Sequence, residues 1–142
     1  MNPNVRRKIA SVELRGLPHL GSGITWGTVP TGGPGYFLRS HEATPYAWAD
    51  AMNSPARDTL YVIDKETLTV VKTLTPSPGK VAAHLEFDRY GRYALASIWD
   101  QDGALVVYDA ATLAEVKRVP MVKPSGKYNV YNKTTRSAGT SH

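Results

Sequence analysis

The chain contains no cysteine in its 142 residues, which excludes both a disulfide framework and a thiolate metal site. Histidine is scarce: His19, His41, His84 and His142 are the only four. No P-loop, nucleophile elbow, paired-carboxylate spacing or metal-finger pattern occurs, so the common hydrolase, nucleotide-binding and zinc chemistries find no foothold. No window approaches the ~18 consecutive apolar residues of a membrane-spanning helix, and no membrane span is expected. Arg6, Arg7 and Lys8 are not followed by an apolar run, so no signal peptide is read in these residues. The net charge of +5 comes from scattered residues. A nucleic-acid surface needs basic residues interleaved with exposed aromatics on one face, and no nucleic-acid partner is expected.

What is present is a repeat. Tyr61-Val62-Ile63-Asp64-Lys65-Glu66-Thr67-Leu68 returns as Val106-Val107-Tyr108-Asp109-Ala110-Ala111-Thr112-Leu113, and Val71-Lys72 returns as Val116-Lys117 at the same offset. A period of about 45 residues built from short strands is the signature of β-propeller blades. The fold class follows as all-β: a partial propeller of about three four-stranded antiparallel blades. A closed ring takes about four to eight blades, so this chain is expected to need further blades to complete one.

The remaining punctuation fits that reading. Pro30 to Gly35 is too rich in glycine and proline to be anything but a loop. Tyr36 to Ser40 and Tyr46 to Asp50 read as paired strands, and Thr59 to Ile63 as a strand covered on both faces. Asp64 opens a turn in which the carboxylate can bond backbone N–H groups ahead of it, and Asp109 to Glu115, the repeat partner, reads as strand-turn-strand and not as a helix. The next blade reads as strands His84 to Phe87, Tyr93 to Trp99, Ala104 to Tyr108 and Thr112 to Val119, with Gly91 supplying a positive φ to a hairpin. No helix is expected.

Ligands of such folds lie near the axis, where loops join strands and blades, so polar or aromatic residues in glycine-rich loops are the candidates. His19 stands between Pro18 and Gly21-Ser22-Gly23, a setting that lets the backbone approach a ligand and leaves the imidazole available as donor, base or ligand. From these residues alone the plainer reading is a surface-loop histidine. His41 is expected to be a turn residue bonding backbone, and His84 to pack between blades. Phe37, Trp48 and Trp99 are expected in the blade core, although Phe37, following Gly32 to Gly35, is also placed to reach a channel mouth.

The stretch Pro124-Ser125-Gly126-Lys127-Tyr128-Asn129-Val130-Tyr131-Asn132 resembles the C-terminal signature of the heme d1 propellers, the family of cytochrome cd1 nitrite reductase and its heme d1 biosynthesis relatives. Pro18-His19 with its Gly-x-Gly, the glycine-rich loop leading into Tyr36-Phe37-Leu38-Arg39-Ser40-His41, and Ala96-Ser97-Ile98-Trp99 followed by Ala104-Leu105-Val106-Val107 match in the same order. The ending Asn132 to Ser137 and Gly139 to His142 is similar to the biosynthetic, NirF-type branch in particular.

The resemblance implies that residues 1–142 are the C-terminal part of an eight-bladed d1-type propeller, with 123–142 its closing loop and tail. It implies a tetrapyrrole, heme d1 or its dihydro precursor, as the cofactor, a periplasmic location, and the remaining blades as partners. By position it makes His19 catalytic and cofactor-binding, Phe37 an aromatic packing on the macrocycle, and Gly126 a backbone contact. No resident metal ligand is assigned. The function implied is tetrapyrrole binding in heme d1 biosynthesis for denitrification. The d1 domain of the nitrite reductase and a non-enzymatic interaction scaffold stand as alternatives. Trp26 runs directly into Gly27-Thr28-Val29-Pro30, where the family places most of a blade, so an internal gap is expected there.

Overall fold

The computed structural model describes residues 10–14 and 25–126. Every regular element among them is a strand: β1 (Ala10–Leu14), β2 (Thr25–Val29), β3 (Leu38–Ser40), β4 (Tyr46–Asp50), β5 (Leu60–Asp64), β6 (Val70–Leu74), β7 (Ala82–Phe87), β8 (Tyr93–Ile98), β9 (Gly103–Asp109) and β10 (Glu115–Met121). They form two four-stranded antiparallel sheets, β3-β4-β5-β6 and β7-β8-β9-β10, each in simple meander order, and a two-stranded sheet β1-β2. The expected blades are thus present as two complete sheets and one shorter one. β2 is a strand that the sequence does not announce. Its Gly27 and neighbouring Pro30 hide the pairing of Ala10 with Val29 and Leu14 with Thr25.

The repeat is one hairpin made twice. Asp64 Oδ1 accepts the N–H groups of Glu66 (2.9 Å) and Thr67 (2.8 Å), and Asp109 Oδ1 those of Ala111 (2.9 Å) and Thr112 (2.8 Å). Each turn then closes through a leucine of positive φ, Leu68 at 54° and Leu113 at 62°, whose N–H bonds the carbonyl of the same aspartate at 2.9 Å. The register slips one residue further on in both copies, leaving Val71 and Val116 as the extra residues of matching β-bulges.

Alternation along the middle strands builds the core. Trp48, Leu60 and Val62 from the first sheet meet Ala82, Leu85, Phe87, Ala96, Ile98, Val106 and Tyr108 of the second. The Trp48 and Tyr108 rings lie 5.4 Å apart across this interface. On its other face the first sheet offers Ala47, Ala49 and Ile63 to the buried Val29 of β2. Sheets therefore stack face to face in sequence order, as successive blades do.

The innermost strands β3 and β7 run side by side in the same direction. Phe37, Arg39 and His41, spaced by two, all face the second sheet. Phe37 meets His84 (ring centroids 4.4 Å), Arg39 meets Glu86 (3.8 Å), and His41 Nε2 lies 3.1 Å from the Arg89 carbonyl. Nδ1 of His41 accepts the Ala43 N–H at 3.0 Å, so Nε2 carries the proton and donates to Arg89. His41 bonds backbone, as expected, and it does so across the blade seam. Gly91, at φ 68°, lies so close beneath this ring that a Cβ would overlap it.

Candidate functional site

One end of the inner strands gathers the chemistry. Phe37 enters β3 there, β7 begins there, and β8 ends there with Trp99 just beyond it. The loops 51–59, 75–81 and 99–102 surround this end and are tied together. Asp58 Oδ2 accepts the Gly79 N–H at 2.7 Å, and Lys80 forms an ion pair with Asp102.

His84 stands at the centre. Ala83 pairs with Ser97 and Glu86 with Leu95, so two residues of β7, His84 and Leu85, oppose the single Ala96 of β8. His84 takes the left-handed conformation of this bulge, φ 54°, where glycine is the usual occupant. For a residue with a Cβ this costs about 1 kcal/mol or more. The bulge re-aims the imidazole along the blade seam, between Phe37 at 4.4 Å with a tilt of 44° and Trp99 at 6.0 Å edge-on. Phe37 and His84 are half-buried and Trp99 is 42% exposed.

The expected site residues fall unevenly. Phe37 sits just before β3 at this end, partly buried against the core and in ring contact with His84 across the blade seam. Gly126 is described and exposed, with φ 35°. It follows Lys123, whose N–H bonds the Asp100 carbonyl at 2.8 Å beside Trp99, so this stretch returns to the same end of the sheets. No contact joins Gly126 to Phe37 among the described residues. His19 lies outside the described residues, as do 127–142. Trp48 is core, as expected, and its indole N–H has no hydrogen-bond partner among the described residues. Trp99 is a correction: it is not blade core but an exposed wall of this end, because β8 stops at Ile98 and Trp99 turns out into the loop.

His84 packs between blades, as the sequence suggests, and its place beside the exposed Trp99 is a setting the sequence does not display. The signal would have been the bulge, and a bulge depends on pairing register, which composition does not carry. Among the described residues no three His, Cys, Asp or Glu side chains converge on a common point.

A flat conjugated macrocycle fits this set. Phe37 and Trp99 offer aromatic faces and edges to a π-system, and the His84 imidazole lies between them. A small polyanion would also be drawn by the positive balance of the chain.

The architecture is that of β-propeller blades, and comparison with known proteins agrees. Residues 25–133 match the model of the family described as cytochrome D1 heme domain. The chain belongs to that family. It is 49% identical to the dihydro-heme d1 dehydrogenase of Pseudomonas aeruginosa over 164 aligned positions, covering 95% of this chain and 33% of the relative. It is 31% identical to a nitrite reductase of Stutzerimonas stutzeri, covering 68% of this chain and 20% of that one, and 39% identical to the protein NirF of Pseudomonas aeruginosa, covering 51% and 18%. A solved structure of dihydro-heme d1 dehydrogenase NirN in complex with DHE superposes with a TM-score of 0.70 at 60% identity, covering 72% of this chain and 22% of the other.

The chain therefore spans about a third of the length of the dehydrogenase it matches. The alignment with that relative is longer than the chain itself, 164 positions against 142 residues, so the relative carries residues with no counterpart here.

Proposed function

We propose that this chain is the segment of a heme d1-type propeller that receives heme d1 or its dihydro precursor at the end of β3 and β7 where Phe37, His84 and Trp99 meet, in the service of heme d1 biosynthesis for denitrification. The observation that carries the reading is His84, held in a left-handed bulge between Phe37 and the exposed Trp99. A strained non-glycine residue persists only where its surroundings over-determine it, and such residues cluster at ligand sites. The stronger likeness to a dihydro-heme d1 dehydrogenase than to a nitrite reductase favours the biosynthetic branch and a dehydrogenation of the dihydro macrocycle.

The macrocycle, when bound, would supply the conjugated system, and its dehydrogenation would pass an electron pair to a separate electron acceptor. The chain's part is placement and proton handling. Phe37 packs against one region of the ring and excludes water there; Trp99 closes the outer side. His84 accepts or donates a proton at its imidazole nitrogen. His19 takes the distal acid–base and binding role by the family pattern, and Gly126 contributes a backbone contact as the chain folds back over Asp100. The remaining propeller blades complete the pocket, and the periplasm is the compartment.

Titration with dihydro-heme d1 followed in the Soret region tests this. The wild-type chain should shift the band, and Phe37→Ala, His84→Ala or His19→Ala should each weaken binding about tenfold or more, the loss of one stacking or hydrogen-bonding partner. An unperturbed spectrum with the wild-type chain would overturn the reading and leave a scaffold role standing.

A further inference from the structure

Asp50, at the end of β4, is 3% exposed and plays no part in the chemistry above. Its oxygens accept three backbone N–H groups: Oδ2 that of Phe37 at 2.8 Å, Oδ1 those of Tyr36 and Met52 at 3.1 Å each. Its own N–H donates to the Phe37 carbonyl at 3.1 Å. Phe37 is thus gripped at both its backbone polar groups by one residue of the neighbouring strand. The grip is needed because the β3–β4 ladder begins only at Leu38, paired with Ala49.

Gly35 presses on the same group: a Cβ there would overlap both the Asp50 carbonyl and its carboxylate. Only a carboxylate offers two acceptor oxygens and no donor to three N–H groups arriving together. Burial nevertheless outweighs those bonds and pushes the Asp50 carboxyl above its usual range. The fold keeps a poorly solvated acid at this place.

We propose that Asp50 is a positioning residue for the tetrapyrrole site, its carboxylate fixing the Phe37 backbone so that the ring stands against His84. The link to a ligand rests on the functional reading above; the link to the ring contact does not. Asp50→Asn preserves size but turns one acceptor into a donor that faces an N–H.

Two measurements test this. In the ligand-free chain, the nuclear Overhauser contact between the Phe37 and His84 rings should weaken at least about twofold in Asp50→Asn, while the Trp48–Tyr108 contact persists. Dihydro-heme d1 affinity should fall about tenfold in Asp50→Asn but less than about twofold further when Asp50→Asn is added to Phe37→Ala, since both act through one ring. An unchanged Phe37–His84 contact, or losses that simply add, would overturn the proposal. If Asp50→Asn loses the Trp48–Tyr108 contact, Gly35→Ala displaces the same backbone from the carboxylate and is read the same way. Failure of the wild-type chain to bind the macrocycle would end the functional reading, while the ring contact would still decide the role of Asp50.

Discussion

His84 bears a backbone cost that its side chain must justify. At φ 54° a glycine is relaxed and an alanine strained. His84→Gly should therefore be more stable than His84→Ala by about 1 kcal/mol, while both lose ligand affinity, as measured by thermal melts beside spectral titration. Equal stability of the two variants would mean that the bulge relaxes and the strain is not real. Five aspartates are displaced from their ordinary range, and they divide by sign. Asp58 is held below its ordinary range by the Gly79 N–H, Asp64 by the Thr67 N–H, Asp102 by the Lys80 side chain and Asp109 by the Thr112 N–H. Each contributes stability present above pH 3.8 and lost as pH falls through its lowered value. Asp50 runs the other way: its raised pKa contributes stability at low pH that is lost as pH rises from 3.8 through the raised value. Melts of wild type and Asp50→Asn across acidic pH should show the wild type losing ground to the variant as pH rises. A difference independent of pH would contradict the buried, raised acid.

At the scale of elements, the fold is legible where side chains dictate their own backbone. The aspartate turns at 64 and 109 are local devices, so their duplication in the sequence becomes duplication in space, down to the bulges at Val71 and Val116. Asp64→Ala and Asp109→Ala should each lower the urea midpoint, by similar amounts, because turn N–H groups lose their acceptor, and the double variant should show the sum. A strongly non-additive double variant would mean that the two hairpins are not independent. β2 is illegible because its only evidence is pairing with β1, a non-local fact. The site is half legible. Phe37 announces itself by the glycine loop before it, whereas the roles of His84 and Asp50 depend on register and on a neighbouring strand, which no single stretch of sequence displays.

At the scale of the molecule, the two complete sheets are joined along a seam that is apolar in its body and specific at its inner edge. Trp48 and Tyr108 fill the body, and the contacts of Phe37 with His84, Arg39 with Glu86 and His41 with Arg89 fix the inner edge. The outermost strand β10 is exposed along its whole length, with Val116, Val119 and Met121 open to solvent. The central claim is that this inner edge is where a tetrapyrrole is held. A crystal structure of the chain with dihydro-heme d1 bound tests it most directly. The account predicts the macrocycle in van der Waals contact with the Phe37 ring and a His84 nitrogen within hydrogen-bonding reach of the ligand; a macrocycle seated elsewhere, with Phe37 and His84 untouched, would contradict it.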